Sequence, residues 1–138
     1  MFNKILVPFD GSMAAEQAYA LAVELAEKYR ATLFVLLIAR PPEPMVGTHA
    51  NAYLHAVREH YKERFAALGR RAGMKDLKVH FDVRIGQPAE LILDAAGQSD
   101  VDLIIMGRRG KTAVRGWPLG TVSERVLTYA NCAVLAVA

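Results

Sequence analysis

Residues 4–12 read KILVPFDGS, an apolar run of strand length that ends in a turn carrying Asp10 and Ser12. Ser12 suits the N-cap of a helix because its hydroxyl can accept a hydrogen bond from a first-turn N–H group. Apolar residues then recur at helical spacing from Ala15 to Tyr29. This strand, turn and helix form the first unit of an alternating α/β pattern, which the rest of the chain repeats.

Four further segments of strand length follow along the chain. Three of them are continuous apolar runs, at residues 33–38, 103–106 and 133–137. Strands that are apolar on both sides are typical of parallel sheets covered by helices on both faces. The fourth segment, residues 78–83, alternates apolar and polar side chains, which predicts an edge strand.

Helical patterns lie between these strands. They cover about residues 50–72, a segment that begins at Pro88, and about residues 121–130. Residues 40–47 hold three prolines and are predicted to form a stiff extended loop. The element order βαβαβαβαβ predicts one doubly wound, Rossmann-like α/β domain over residues 1–138, with a five-stranded parallel sheet in the order 3-2-1-4-5.

The composition is that of a globular domain, with 138 residues, 53% hydrophobic and 22% charged. The single cysteine, Cys132, cannot form an internal disulfide and is interpreted as a packed thiol in a reducing compartment. The first apolar run is too short for a signal peptide or a membrane span, so a cytoplasmic location is expected. The net charge is +3, and most basic residues are interpreted as solvated helix surface, among them Lys62, Arg64, Arg70 and Arg71. No nucleic-acid or membrane partner is predicted.

A glycine-rich constellation follows the fourth strand, where ligands of such sheets bind. Gly107, Gly110 and Gly120 are spaced along it, and Thr121 and Ser123 open the last helix. Glycines let backbone N–H groups approach an anion, and a helix start adds free N–H donors and the positive end of the helix dipole. A polyphosphate fits this chemistry. The alternative is that the glycines only shape a turn and that Thr121 or Ser123 only caps the helix.

Two further features lie near the same sheet edge. Asp10, at the tip of the first strand, can accept hydrogen bonds from ribose hydroxyls or help to hold a metal beside phosphates. Its alternative role is to cap the first helix, which Ser12 could equally do. A basic cluster surrounds the glycines and offsets phosphate charge; it consists of Arg108, Arg109, Lys111 and Arg115.

The glycine spacing resembles a known signature. Glycine, two residues, glycine, nine residues, glycine, then Ser or Thr is the nucleotide-binding motif of ATP-binding universal stress proteins, and Gly107, Gly110, Gly120 and Thr121 reproduce it. The likeness spans essentially the whole chain, through residues 4–12, 86–89, 102–107 and 119–126. The chain is thus identified as similar to the ATP-binding members of this family.

The resemblance implies a role for each matched position. Pro8, Phe9 and Asp10 would line the adenosine side, with Asp10 reaching the ribose. Ile38 would pack near adenine, and Met106 and Gly107 would flank the ribose. The phosphates would be held by backbone N–H groups and hydroxyls, with Arg109 adding charge, at Gly110, Gly120, Thr121, Val122 and Ser123. The resemblance also implies Mg²⁺ beside a triphosphate and a homodimer formed through the C-terminal strand.

Rival motifs receive less support. Gly110, Lys111 and Thr112 resemble the end of a P-loop, but that motif needs a glycine where Ile105 stands. Ser12 has no histidine and acid partners that the sequence places beside it, and the four histidines show no metal-ligand spacing. The predicted function is therefore an ATP-binding stress-response regulator without catalytic residues. The alternatives are a nucleotide-independent interaction module and a slow ATPase, with ADP or AMP as other ligands.

Overall fold

The computed structural model describes residues 1–40, 46–109 and 119–137. Strands and helices alternate along these segments, and the strands form one parallel sheet in the order β3-β2-β1-β4-β5. This confirms the predicted five-stranded α/β fold and its strand order. The elements are β1 (Lys4–Phe9), α1 (Met13–Tyr29), β2 (Thr32–Ala39), α2 (Gly47–Gly73), β3 (Val79–Ile85), α3 (Pro88–Gln98), β4 (Leu103–Gly107), α4 (Thr121–Tyr129) and β5 (Ala133–Val137).

The sheet is buried between two helical layers, because successive side chains of a strand point to opposite faces. On β1, Ile5 and Val7 belong to the core beneath α1 and α2. The intervening Leu6 packs with α3 and α4 on the other face. The continuous apolar runs in the sequence thus supply two cores, one on each side of the sheet.

The centre of the sheet is the place where the strand order reverses. The chain runs from β1 outward through β2 to β3, and then crosses to β4 and β5 on the other side of β1. Ile5 is in register with Leu103 of β4, and Phe9 is in register with Leu37 of β2. The connections therefore leave in opposite directions at the carboxyl ends of β1 and β4, which opens a crevice between them.

Helix α2 differs from its prediction at the N-terminus. It begins at Gly47, three residues before the predicted start, and its N-cap residue is Val46. Valine has no side-chain acceptor for a first-turn N–H group, so the sequence carries no cap signal there. Residues 41–45, which include the three prolines of the predicted extended loop, lie outside the described residues.

A buried tyrosine joins α1 to α2. Tyr19 is fully buried, and its hydroxyl donates a hydrogen bond of 2.6 Å to the carbonyl oxygen of Leu68. Burial raises the pKa of Tyr19 to about 12, so the phenol stays protonated at neutral pH. The two helices on this face are thus held together by a buried polar contact as well as by apolar packing.

Gly107 lies where the end of β4 meets the start of α1. A Cβ atom at this position would lie 2.8 Å from the Cβ of Ala14 and 3.3 Å from its backbone carbon. Real Cβ atoms do not approach this closely, so a side chain would force β4 and α1 apart. Packing alone therefore requires glycine here, whatever the ligand.

We expect Gly107→Ala to lower the free energy of unfolding by about 1–3 kcal/mol, the usual cost of forcing a group into a packed interior. The double variant Gly107→Ala/Ala14→Gly should recover part of this loss, because it removes the atom that the new methyl group meets. Urea unfolding of the single and double variants measures both effects.

Gly97→Ala is the matched control for this prediction. Gly97 lies in α3, and a Cβ there would meet no atom within 4 Å. Alanine in a helix is favoured over glycine by about 0.5–1 kcal/mol, so this variant should be as stable as the parent or more so. Equal stabilities for Gly107→Ala and Gly97→Ala would contradict the packing explanation.

Candidate functional site

A cleft of about 200 Å³ lies at the carboxyl ends of β1 and β4. It is lined by main-chain and side-chain atoms of the β1–α1 turn, the ends of β2 and β4, and the starts of α3 and α4. Gly110 lies outside the described residues. All the other site residues predicted from the sequence line this one cleft, namely Pro8, Phe9, Asp10, Ile38, Met106, Gly107, Arg109, Gly120, Thr121, Val122 and Ser123.

The β1–α1 turn fixes where the Asp10 carboxylate lies. Gly11 has a φ of 80°, which favours glycine, and this sharp turn lets Asp10 Oδ1 accept a hydrogen bond of 2.9 Å from the Ser12 N–H. Ser12 Oγ in turn accepts from the Ala15 N–H at 3.1 Å and caps α1. Ser12 is therefore the helix cap, and Asp10 is a cleft residue.

Helix α4 points its start at the same cleft. Its N-cap residue is Gly120, and no side chain caps the helix within the described part of the chain. The first N–H groups of a helix have no partner inside the helix, so those of Thr121, Val122 and Ser123 are donors at the cleft wall. Together with the helix dipole they favour an anion there.

Two predicted phosphate donors are engaged elsewhere. The Gly120 N–H donates to the carbonyl oxygen of Arg108 at 2.9 Å. The Ser123 hydroxyl, which is buried, donates to the carbonyl oxygen of Gly107 at 2.8 Å. These bonds fasten the start of α4 to the end of β4, so Gly120 and the Ser123 hydroxyl build the cleft wall. Each of these two hydrogens has an acceptor within the protein in this structure, and a phosphate contact from Gly120 or Ser123 stays a prediction.

The apolar side of the cleft is larger than the sequence predicted. Ile38 and Met106 were expected there, and the structure adds Pro88 and Ile92 of α3. Arg40, which directly follows β2, also lines the cleft. The resemblance to the family pattern at residues 86–89 could have pointed to Pro88 as a cleft residue. For Ile92, the sequence predicted only a buried position in a helix.

The two described arginines of the basic cluster lie differently with respect to the cleft. Arg109 lines the cleft, whereas Arg108 is not among the residues that line it. The Arg108 backbone joins three elements instead: its N–H donates to the carbonyl oxygen of Val137 in β5, and its carbonyl accepts from Gly120. Lys111 and Arg115 lie outside the described residues.

Three further properties of the described residues concern thiol reactivity, metal binding and the membrane. Burial raises the pKa of the Cys132 thiol, with a smaller contribution from nearby Asp102, which disfavours the nucleophilic thiolate. In residues 1–40, 46–109 and 119–137, no group of three or more His, Cys, Asp or Glu side chains is arranged to hold a metal ion. Over the same ranges, no helix has the length and apolar content that crossing a membrane requires.

Comparison with known proteins places these features in a family. The model of the universal stress protein family matches residues 1–138. The chain is 32% identical over 149 residues to the universal stress protein YxiE of Bacillus subtilis, with 99% of both chains covered. Among solved structures, it matches the universal stress protein UspA from Lactobacillus plantarum with a TM-score of 0.87 and 25% identity, covering 99% of this chain and 98% of that one.

A second solved structure is a universal stress protein in complex with cAMP. It matches with a TM-score of 0.75 and 21% identity, over 99% of this chain and 97% of that chain, and so shares the fold. The family match covers the full sequence, and the similarity to YxiE covers 99% of it. This chain belongs to the universal stress protein family.

Proposed function

We propose that this protein binds ATP in the cleft between β1 and β4 and acts as a stress-response regulator by holding the nucleotide. One observation carries the proposal: Asp10, an apolar wall and the start of α4, which no side chain caps within the described residues, converge on one cleft. Such a combination of apolar lining and a few placed polar groups is typical of small-molecule sites. We further propose that residues 1–138 work as a single nucleotide-binding domain.

The apolar wall suits the adenine ring. Ile38 comes from β2 and Met106 from β4, the two strands that flank β1. Ile92 and Pro88 line the same cleft from α3. A planar, weakly polar base gains most from burial against such side chains. The ribose would then lie near Asp10, whose carboxylate accepts hydrogen bonds from hydroxyl groups, and beside Gly107.

The start of α4 suits the phosphates. The N–H groups of Thr121, Val122 and Ser123 and the Thr121 hydroxyl would donate to phosphate oxygens, and Arg109 would add positive charge. Gly110 would contribute from the segment outside the described residues. These donors can bond the charged phosphates of a nucleotide but have no such partner in a neutral nucleoside. They therefore favour ATP over adenosine.

Mg²⁺ fits this arrangement as a companion of the triphosphate. Asp10 is the one carboxylate among the described residues that line the cleft. Magnesium sites are commonly built from one or two carboxylates, phosphate oxygens and water, so a full protein cage is not needed. The ion would offset phosphate charge beside Asp10.

The structure solved with cAMP is relevant to the ligand class. That protein has the same fold and holds an adenine nucleotide. At 21% identity the shared fold does not choose among nucleotides for this chain. The preference for a triphosphate therefore rests on the donors at the start of α4.

We expect ATP with Mg²⁺ to raise the melting temperature of the protein, because a ligand that binds only the folded state stabilises it by about 2.7 kcal/mol at a hundred times its Kd. Thr121→Pro should raise the Kd for ATP by at least about ten-fold, since it removes one N–H donor and the hydroxyl. Proline is tolerated at the first position of a helix, so α4 should persist. Thermal shifts over a nucleotide titration measure the change.

The control for this prediction is Thr128→Ala in the same helix. The Thr128 hydroxyl donates to the Glu124 carbonyl at 2.8 Å and is exposed, and Thr128 does not line the cleft. Its loss should leave the response to ATP unchanged. A melting temperature of the parent protein that does not move at millimolar ATP would refute the proposed function and favour a nucleotide-independent module.

We also propose that the protein forms a homodimer through β5. This strand is at the edge of the sheet, and its residues Ala133–Val137 include neither charge nor proline to block pairing. Leu135 in β5 and Leu127 and Tyr129 in α4 are large exposed apolar side chains on neighbouring elements, with 38%, 41% and 64% of their surface exposed. A two-fold interface through β5 would pair the exposed edge and cover apolar side chains beside it on both faces of the sheet.

Leu135→Lys should convert the dimer to a monomer, because a charge on an edge strand opposes pairing and would be buried at the interface. Light scattering at micromolar concentration gives the mass directly. Met74→Lys is the control, since Met74 is 85% exposed at the end of α2, far along the chain from β5. A monomeric parent protein, or a Leu135→Lys variant that remains dimeric, contradicts this interface.

A further inference from the structure

Arg64 of α2 contacts the β1–α1 segment at three places. Its Nη2 donates to the carbonyl oxygen of Gly11 at 3.0 Å. Its Nε and Nη2 donate to Oε1 of Glu16 at 3.2 and 3.0 Å. The guanidinium also lies over the ring of Phe9, 5.3 Å from the centroid. The sequence predicted Arg64 to be solvated helix surface. Its side chain is indeed 40% exposed, but it also bridges two elements, which the sequence did not predict.

These contacts surround the turn that carries Asp10. Gly11 lies between two residues that line the cleft, Asp10 and Ser12, and Phe9 lines it as well. The turn has internal hydrogen bonds, which the Ser12 N–H donates to Asp10 Oδ1 and the Ala15 N–H donates to Ser12 Oγ. Neither involves Gly11, whose φ of 80° lies in a region that favours glycine. Arg64 adds a contact at the Gly11 carbonyl, from the side of α2.

The guanidinium suits this task better than a simple charge. It is planar and presents several N–H donors in a fixed arrangement, so it can bond a carbonyl and a carboxylate while its face packs on an aromatic ring. Glu16 is in the first turn of α1, directly after the turn. Arg64 therefore ties the strand end, the turn and the helix start to one side chain.

We propose that Arg64 is a positioning residue that holds the β1–α1 turn so that Asp10 meets the ribose of a bound nucleotide. This inference rests on the proposed function, because it concerns the same cleft. Arg64 itself is not among the residues that line the cleft and acts through Gly11 and Phe9. Its loss should weaken the recognition of the ribose hydroxyls specifically and leave the contacts of base and phosphates in place.

Arg71 provides a matched control within the same helix. Its Nη1 donates to Oε2 of the same Glu16 at 3.2 Å, and its guanidinium lies over the ring of Tyr19 at 5.2 Å. The two arginines are similarly exposed, at 44% for Arg71 and 40% for Arg64. In the described part of the chain, Arg71 makes no hydrogen bond to the turn.

The test compares the Kd values for ATP and for 2′,3′-dideoxy-ATP by isothermal titration calorimetry, both in EDTA without Mg²⁺, so that no metal ion links Asp10 to the phosphates. The parent protein should prefer ATP by about ten-fold, the usual worth of a hydrogen bond to a charged group. Arg64→Met should raise the Kd for ATP by about ten-fold while the Kd for the dideoxy nucleotide changes by less than about two-fold. Arg71→Met should retain the parent preference. Arg64→Lys should be intermediate, because lysine can reach one of the two acceptors but not both.

The outcomes separate this inference from the proposed function. If the parent protein binds neither nucleotide, the proposed function fails and the role of Arg64 fails with it. If the parent binds ATP but Arg64→Met keeps the preference, or Arg71→Met loses it equally, only the positioning role is overturned. A parent protein that binds both nucleotides equally also overturns it, because Asp10 then makes no ribose bond to be positioned. If Arg64→Met does not fold, Arg64→Lys alone decides by the same ratio.

Discussion

The structure depends on a central strand that must be buried on both faces. β1 is apolar on both sides and pairs with β2 and β4, so helices have to cover the sheet above and below. Parallel strands allow this because each connection crosses a face through a helix. Because the chain starts at the central strand, the connections that follow β1 and β4 run in opposite directions. The crevice at the carboxyl ends follows from hydrophobic burial, before any ligand is considered.

Some residues that line the crevice also pack neighbouring strands and helices against each other. Gly107 allows β4 to lie against Ala14 of α1, and its carbonyl accepts the Ser123 hydroxyl. The Gly120 N–H donates a hydrogen bond to the carbonyl oxygen of Arg108. The glycine signature associated with phosphate binding thus includes Gly107, a position where two backbone segments lie close together. The signature therefore indicates how the cleft is packed, and the ligand has to be inferred from the groups that face the cleft.

The sequence predicted the sheet because burial on both faces leaves a strong local signal, seen in residues 33–38 and 103–106. It predicted most cleft residues because they follow strand ends or match the family pattern. It did not predict that the Gly120 N–H and the Ser123 hydroxyl are engaged, since their partners depend on tertiary contacts. Arg64 was missed for the same reason, because a charged residue on a helix carries no sign of its partner.

The bond between the Gly120 N–H and the Arg108 carbonyl has a consequence for how rigidly the cleft is built. Arg108 directly follows β4, its own N–H donates to the carbonyl oxygen of Val137 in β5, and Gly120 is the N-cap residue of α4. Because the Ser123 hydroxyl also donates to the Gly107 carbonyl, the start of α4 is attached to the sheet at two points. The N–H groups at the start of α4 are thus oriented before a ligand arrives, and preorganised donors lose less entropy when they bind.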